Sequence, residues 1–486
     1  MWRNVYRNGS LSGQFGKTNL IMINYFNFKE FENEYLITND FGRYEFIDKS
    51  SLKTLVTGNA NALEPALRES LTEKFFLTGE SRQAYLEKSV PYLRDMKCHL
   101  LQSTGLFIFV MTNSCNLNCV YCQAQSENSS TKGLMSKEIA ERGVEIALQS
   151  PLSSITVEFQ GGEPLLNFET IKHIIEYADS RKGNKEIAYN LVSNLSLLTD
   201  EIADYLSDHK VQVSVSLDGN ELVHNSNRPF RQGGGGSYSA AIRGIKMLRD
   251  RGISLGAIQT TTRFSLDHAK EIVDTYLELG FNNIFIRPLT KLGYANDHWE
   301  KIGYTPNEFL AFYKRALDHI IEINANGTVF SEGHANIFLT KILHGYSSNY
   351  MELRSPCGAA VGQIAIYYDG NIYTCDEGRM VAEMGDPAFK MGDVFTSDYN
   401  ALIDSGVCKT VCTASCLEAI PGCCDCVYQP YCGVCPVINY AVDNDLFAKA
   451  PGNNRCKIYA GMLDYYFGIL HKDDKNVIDI LERWIQ

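Results

Sequence analysis

Cys115, Cys119 and Cys122 stand in the stretch Cys115-Asn116-Leu117-Asn118-Cys119-Val120-Tyr121-Cys122, a Cys-x3-Cys-x2-Cys spacing with an aromatic residue before the last thiol. Three thiolates on one short loop can hold three irons of a cubic [4Fe–4S] cluster and leave the fourth iron without a protein ligand. An open iron can bind and activate a small molecule, whereas a fully ligated cluster mostly moves electrons. The alternatives are a zinc site or three unrelated core thiols. Zinc usually takes four ligands, in Cys-x2-Cys pairs, so the spacing favours the cluster.

A second concentration of thiols lies near the other end. Eleven of the fifteen cysteines fall between 357 and 456, mixed with glycines, which is too dense for an ordinary hydrophobic core and points to a metal-organised domain. Their order is regular: Cys357, twelve residues, Gly370, four residues and Cys375; then Cys423-x2-Cys426-x5-Cys432-x2-Cys435-Pro436; then Cys456. Cys408, Cys412 and Cys416 are spaced by four and would share one face of a helix. Cys424 is adjacent to Cys423, and the two cannot easily point into one cluster. Cys98 reads as a buried thiol.

Other residues suit a ligand site. In Gln160-Gly161-Gly162-Glu163-Pro164 the glycines permit close backbone approach and the carboxylate can accept from an ammonium group, although a plain turn has the same look. Ser214-Val215-Ser216-Leu217-Asp218-Gly219 is followed by His224, Asn225 and Arg228; here Asp218-Gly219 could be a turn and Arg228 a surface charge. Ser193-Asn194 and Arg287-Pro288 are further candidates. Asp376, directly after Cys375, could take a proton from a substrate or could orient the cluster loop. The run Gly233–Gly236 lacks the Lys-Ser/Thr of a phosphate loop and reads as a turn before a helix opening at Ser237.

Those residues must be positioned by a chain of 486 residues, long enough for two to four domains. Its 45% hydrophobic and 21% charged residues describe a globular protein with a substantial core. No secretory signal follows Met1-Trp2-Arg3-Asn4-Val5-Tyr6-Arg7, so many thiols imply metal ligation in a reducing cytoplasm rather than disulfides. The apolar run Leu106 to Met111 is far short of the ~20 residues that cross a bilayer. A net charge of −12 gives no footprint for nucleic acid or an anionic membrane.

Residues 1–95 contain no cysteine and read as a small α+β, winged-helix-like module. Two short strands, 34–38 and 43–47, precede a helical stretch with Leu63, Leu67, Leu71 and Phe75 on one face. This module is either a binding unit or a structural cap. From 104 to 325, β-rich runs at 106–111, 154–159, 187–192, 211–217, 254–262 and 283–287 alternate with helical stretches at 136–149, 167–181, 199–209, 237–251, 265–279 and 306–324. Six βα units predict a parallel sheet curved into a partial (β/α)6, TIM-like barrel with its site at the carboxyl ends of the strands. The cysteine loop follows the first of them. A cysteine-rich domain over 350–460 and a helical tail over 461–486 complete the expected α/β architecture.

The cysteine triplet resembles the signature of radical S-adenosylmethionine (SAM) enzymes, and the downstream pattern resembles their SPASM domain, apart from two rather than three residues between Cys432 and Cys435. Asn225 also replaces the family's usual aspartate. The resemblance implies that Cys115, Cys119 and Cys122 hold a SAM-binding [4Fe–4S] cluster, which splits SAM to a 5′-deoxyadenosyl radical. It implies that Gly161, Gly162 and Glu163 hold the methionine amino group. Ser193, Ser216 and Arg228 would contact SAM, and Arg287-Pro288 would line the adenine pocket. Two auxiliary [4Fe–4S] clusters follow by the same resemblance, one on Cys423, Cys426, Cys432 and Cys456, the other on Cys357, Cys375 and Cys435. Cys416 is the preferred fourth ligand of the latter, with an open iron as the alternative. In sulfatase-maturing relatives the aspartate at the place of Asp376 is the base.

Relatives of this kind mostly modify peptides. Residues 428–436 and 39–44 look most like His-Xaa-Ser system radical SAM maturases. The implied activity is hydrogen abstraction from a ribosomally synthesised precursor peptide, bound by the N-terminal module, giving a cross-link or an oxidised residue. A flavodoxin- or ferredoxin-like protein would supply electrons. Rival readings are a formylglycine-forming sulfatase maturase, a thioether synthase and a non-catalytic electron-relay protein.

Overall fold

The computed structural model describes residues 21–126, 133–447 and 452–486. The stretch Met1–Arg7, inspected above for a secretory signal, lies outside them. The chain divides after Leu93 into two compact units.

In the first unit β1 (Met22–Ile23), β2 (Asn27–Phe31), β3 (Glu34–Thr38), β4 (Tyr44–Ile47) and β5 (Leu77–Thr78) form two small antiparallel pairings, β1 with β5 and the sheet β2-β3-β4. The strand β2 was not expected from the sequence. Asp48 opens the helix Lys49–Val56 by accepting from the Ser50 and Ser51 N–H groups, which satisfies otherwise orphan donors. Ile37, Ile47, Leu52, Leu55, Leu71 and Phe76 form the core. The expected helix through Leu63 and Phe75 is shorter, Pro65–Glu73: proline at its first turn fixes the start, and Phe75 at φ +65° lies beyond its end.

The second unit is built on one ten-stranded sheet. Its strands are β6 (Leu106–Val110), β7 (Ser154–Gln160), β8 (Glu186–Ser193), β9 (Gln212–Ser216), β10 (Leu255–Thr260), β11 (Asn283–Arg287), β12 (Ser331–Glu332), β13 (Gln363–Ile366), β14 (Asn371–Tyr373) and β15 (Lys390–Asp393). They lie in the order β12-β11-β10-β9-β8-β7-β6-β13-β14-β15, parallel from β12 to β13 and antiparallel thereafter. The six central strands and their helices, Lys137–Leu148, Phe168–Arg181, Asp200–Asp208, Tyr238–Arg249, Ala269–Glu278 and Pro306–Ala325, fall within a few residues of the expected spans. Caps fix several starts: Ser136 accepts from Ile139 N–H, Thr199 from Ile202 N–H, and Thr305 with Glu308 forms a capping box.

The cysteine-rich region is less separate than its sequence suggests. β13 pairs with β6 in parallel, Ile108 opposite Ala365, so this region extends the barrel sheet directly. The last helices, Asn454–Lys472 and Lys475–Arg483, bury Tyr459, Met462, Leu463, Tyr466, Phe467, Ile480 and Leu481; Tyr466 hydroxyl meets that of Tyr313 on the helix Pro306–Ala325.

Candidate active site

The carboxyl ends of β7 to β11 and the loop after β6 surround one cavity. Its wall includes Cys115, Cys119, Cys122, Gly161, Gly162, Ser193, Asn194, Ser216, Thr260 and Arg287, and it closes on Asp376, Glu377, Arg379 and Met380 from the cysteine-rich region. Strand ends from across the sheet can share a cavity only if the sheet curves around it.

Backbone contacts hold the cysteine loop on both sides. Asn118 N–H donates to Pro229 O at 2.8 Å and Val120 N–H to Asn227 O at 2.9 Å, while Gly162 N–H donates to Thr112 O at 2.8 Å. The two glycines are needed there. A Cβ on Gly162 would lie 2.2 Å from Ser114 O, and one on Gly161, at φ +151°, would lie 2.3 Å from Thr112 O.

The thiols fit an iron–sulfur group. Leu117 N–H donates to Cys115 Sγ and Ser126 N–H to Cys122 Sγ, both at 3.4 Å, and an Arg228 Nη lies 3.9 Å from Cys119 Sγ. Burial raises the Cys115 thiol well above its ordinary range, with Cys119 and Glu163 adding to it, and pushes Cys119 up to about 12 against the pull of Arg228. Thiols so reluctant to ionise become thiolates only when a strong cation takes them. Among the described residues no three His, Cys, Asp or Glu side chains converge on one metal ion. A cube of irons takes one thiolate per iron and so needs its ligands apart.

Arg228 and Asp218 are neither a surface charge nor a plain turn. Asp218 is fully buried and receives Tyr121 Oη at 2.8 Å, Asn227 Nδ2 at 3.1 Å and Thr260 N–H at 3.2 Å, with Arg228 Nε at 3.1 Å as its ion-pair partner. Burial opposes the Arg228 charge, but Asp218, Tyr121 and Cys119 outweigh it and hold the group protonated. His224 joins this network as a neutral ring: Nδ1 accepts from Asp218 N–H at 3.3 Å and Nε2 meets Ser237 Oγ at 3.0 Å, which itself donates to Arg228 O. Asn225 accepts from Tyr238 N–H at 2.9 Å and so starts the helix expected to open at Ser237.

Glu163 lies behind the wall. It is fully buried and accepts from Ser193 Oγ at 2.8 Å, Asn194 N–H at 2.9 Å and Leu165 N–H at 3.1 Å. Burial raises its pKa and these donors oppose the rise. Thus Ser193 and Asn194 face the cavity and Glu163 fixes them. Ser216 and Arg287 also face it, the latter paired with Glu352 at 2.6 Å.

The remaining cysteines fall into groups. Cys423 and Cys432, both pushed up to about 12 by burial, are each raised further by Cys426 and Cys456. Cys357, Cys375 and Cys435 share one buried core, against which Cys122 packs. Cys416 follows Ser415, whose Oγ accepts from Cys357 N–H at 3.0 Å; it interacts with Glu418, Lys97 and Cys412 and lies beyond the helix Gly406–Ala414 that carries Cys408 and Cys412. The shared helical face therefore holds for Cys408 and Cys412 only, because the helix ends before Cys416.

Asp376 begins the helix Asp376–Glu383, capped by Cys375, and is ion-paired with Arg379 Nε at 2.8 Å. Sequence reading missed Glu377 and Arg379. Three charged residues directly after Cys375, in one helical turn, were the available signal. Glu352, which joins Arg287 to Arg455, gave none, because its partners come from distant segments.

Residues 109–275 match the Radical SAM superfamily. The chain therefore carries a radical SAM domain, which implies a [4Fe–4S] cluster and SAM. A cysteine-type anaerobic sulfatase-maturating enzyme of Clostridium perfringens is 27% identical over 280 residues, covering 56% of this chain and 74% of that one. Among solved structures, native anSMEcpe with bound AdoMet is similar at TM-score 0.65 and 22% identity, covering 78% of this chain and 99% of that one. Streptococcus suis SuiB bound to precursor peptide SuiA is similar at TM-score 0.53 and 16% identity, covering 89% and 98%. These two likenesses establish the fold.

Proposed function

We propose that the chain is a radical SAM maturase acting on a peptide or protein. One observation carries this: the loop of Cys115, Cys119 and Cys122 shares its cavity with Asp376 and Glu377 from the cysteine-rich region, so a bound substrate would be reached from both sides. When bound, the cluster and SAM supply a 5′-deoxyadenosyl radical able to take a hydrogen atom from an unactivated carbon. Ser193, Asn194, Ser216 and Arg228 orient SAM, with Gly161 and Gly162 giving it room. Asp376 stands ready to receive a substrate proton, and Arg379 fixes its direction.

Three clusters are part of the proposal, the auxiliary ones on Cys423, Cys426, Cys432 and Cys456 and on Cys357, Cys375 and Cys435. Cys357, Cys375 and Cys435 would hold a cluster able to accept the substrate's electron, and their shared core packs against Cys122. A flavodoxin- or ferredoxin-like protein is the proposed donor, and the first unit the proposed holder of the precursor. That SuiB has been seen with a precursor peptide supports the substrate class. Likeness in sequence to the Clostridium enzyme favours formylglycine formation on a sulfatase as the second reading.

Anaerobic reconstitution with iron, sulfide, dithionite and SAM tests this. We expect 5′-deoxyadenosine, and a mass change in a co-expressed precursor such as one repeating His-Xaa-Ser. Product from the variant Cys115→Ala/Cys119→Ala/Cys122→Ala would refute the mechanism. Turnover of a sulfatase peptide alone would establish the second reading.

A further inference from the structure

Buried cations accompany the cysteines throughout the second unit, and most of them have a carboxylate. Arg228 has Asp218, Arg379 has Asp376, and Arg455 has Glu352. Among the described residues Arg354, bonded to Asn349 Oδ1 and interacting with Cys357, and Lys341 have none. Lys341 is 2% exposed, and its Nζ donates to two backbone carbonyls, Leu353 O and, at 3.1 Å, Tyr431 O. The ionisable groups acting on it are Cys432, Lys97 and Cys98, and Lys97 is itself paired with Glu418. Among the described residues no carboxylate faces Lys341. It also lies in a π-helical turn, Thr340–His344, directly after the helix Gly333–Leu339. Such turns recur where a side chain is re-aimed for function.

An uncompensated buried charge is costly, and carbonyl dipoles repay only part of it. The carbonyl of Tyr431 immediately precedes Cys432, and Cys432 lies with Cys423, Cys426 and Cys456. Four thiolates around a [4Fe–4S] core carry net negative charge, in a position to complete the ion pair that Lys341 lacks.

We propose that Lys341 is the countercation of the cluster held by Cys423, Cys426, Cys432 and Cys456, and that it raises the reduction potential of that cluster. This rests on the cluster assignment made under the proposed function. One-electron reduction adds a negative charge to the cluster, so an adjacent ammonium favours the reduced state. Lys341 acts through the cluster and is a positioning residue for electron flow, not a catalytic one.

The test is an EPR-monitored redox titration of the full-length, reconstituted enzyme, in which added SAM marks the signal of the Cys115/Cys119/Cys122 cluster. Lys341→Gln keeps a donor for the carbonyls and removes the charge; Lys341→Arg keeps the charge. We expect Lys341→Gln to lower one auxiliary midpoint by at least a tenfold change in the reduction equilibrium, about 59 mV for one electron. The other auxiliary midpoint and the iron content should hold, and Lys341→Arg should restore the shifted value. Lys341→Met serves if the glutamine variant does not fold. Unmoved midpoints in an iron-replete Lys341→Gln or Lys341→Met enzyme would overturn the proposal. Wild-type enzyme with only one auxiliary signal would overturn the cluster assignment beneath it.

Discussion

Asp218 gathers three donors and the Arg228 guanidinium without any exposure to solvent, and Arg228 in turn reaches Cys119. Removing one partner of a buried ion pair leaves the other uncompensated, a loss of about 3–5 kcal/mol. Asp218→Asn should therefore lower stability by that order in urea denaturation, with Arg228 as the stranded charge. Glu163 invites a different test. Glu163→Ala leaves Ser193 and Asn194 without their acceptor, so SAM binding should weaken roughly tenfold, about 1.4 kcal/mol, in equilibrium dialysis of the reconstituted enzyme. Retained SAM affinity would show that Ser193 and Asn194 keep their places unaided. His224 provides a pH signature. Burial lowers its pKa to about 4, below the ordinary value near 6.5. The unfolded chain then binds the extra proton first, so stability present above pH 6.5 is lost as pH falls toward 4, by about 3 kcal/mol. His224→Gln should flatten that slope in denaturation curves taken across the range.

The strands and helices differ in how openly the sequence declares them. Long apolar runs such as Leu106–Val110, bounded by turns and alternating with amphipathic stretches, mark the six βα units closely. β13 to β15 are only three or four residues each within cysteine- and glycine-rich sequence, too short for a period to show, and β13 becomes a strand because β6 offers it an edge. β2 carries Lys29 and Glu30 within five residues, which hides its alternation. At the site, residues fixed by nearby sequence, the cysteines, Gly161 and Gly162, were legible. Glu352, Lys341 and the placing of Glu163 behind Ser193 depend on segments far apart in the chain. The helix Tyr238–Arg249 gives a prediction of its own. Asn225 caps its start, so Asn225→Asp should keep the bond and add favourable charge at the helix N-terminus, raising stability by about 0.3–1 kcal/mol. A lower melting temperature would count against that cap.

The division after Leu93 sets the expectation for the assembled protein. Residues 94–486 contain every cysteine, so a chain cut to them should load iron and form 5′-deoxyadenosine at a rate near that of the full chain. It should lose its preference for a full precursor over the same peptide without a leader, measured by competition and mass spectrometry. Undiminished preference would remove the first unit from substrate selection.

The pairing of β6 with β13 also bears on biogenesis. β7 can cover one edge of β6 early in synthesis, but the other edge has no partner until residues 363–366 leave the ribosome. An uncovered strand edge can pair with another chain, and closure over so long a loop is slow. The strand that carries the cysteine loop is thus among the last to be sealed. A nascent chain stalled before β13 should therefore aggregate more readily than one released after it.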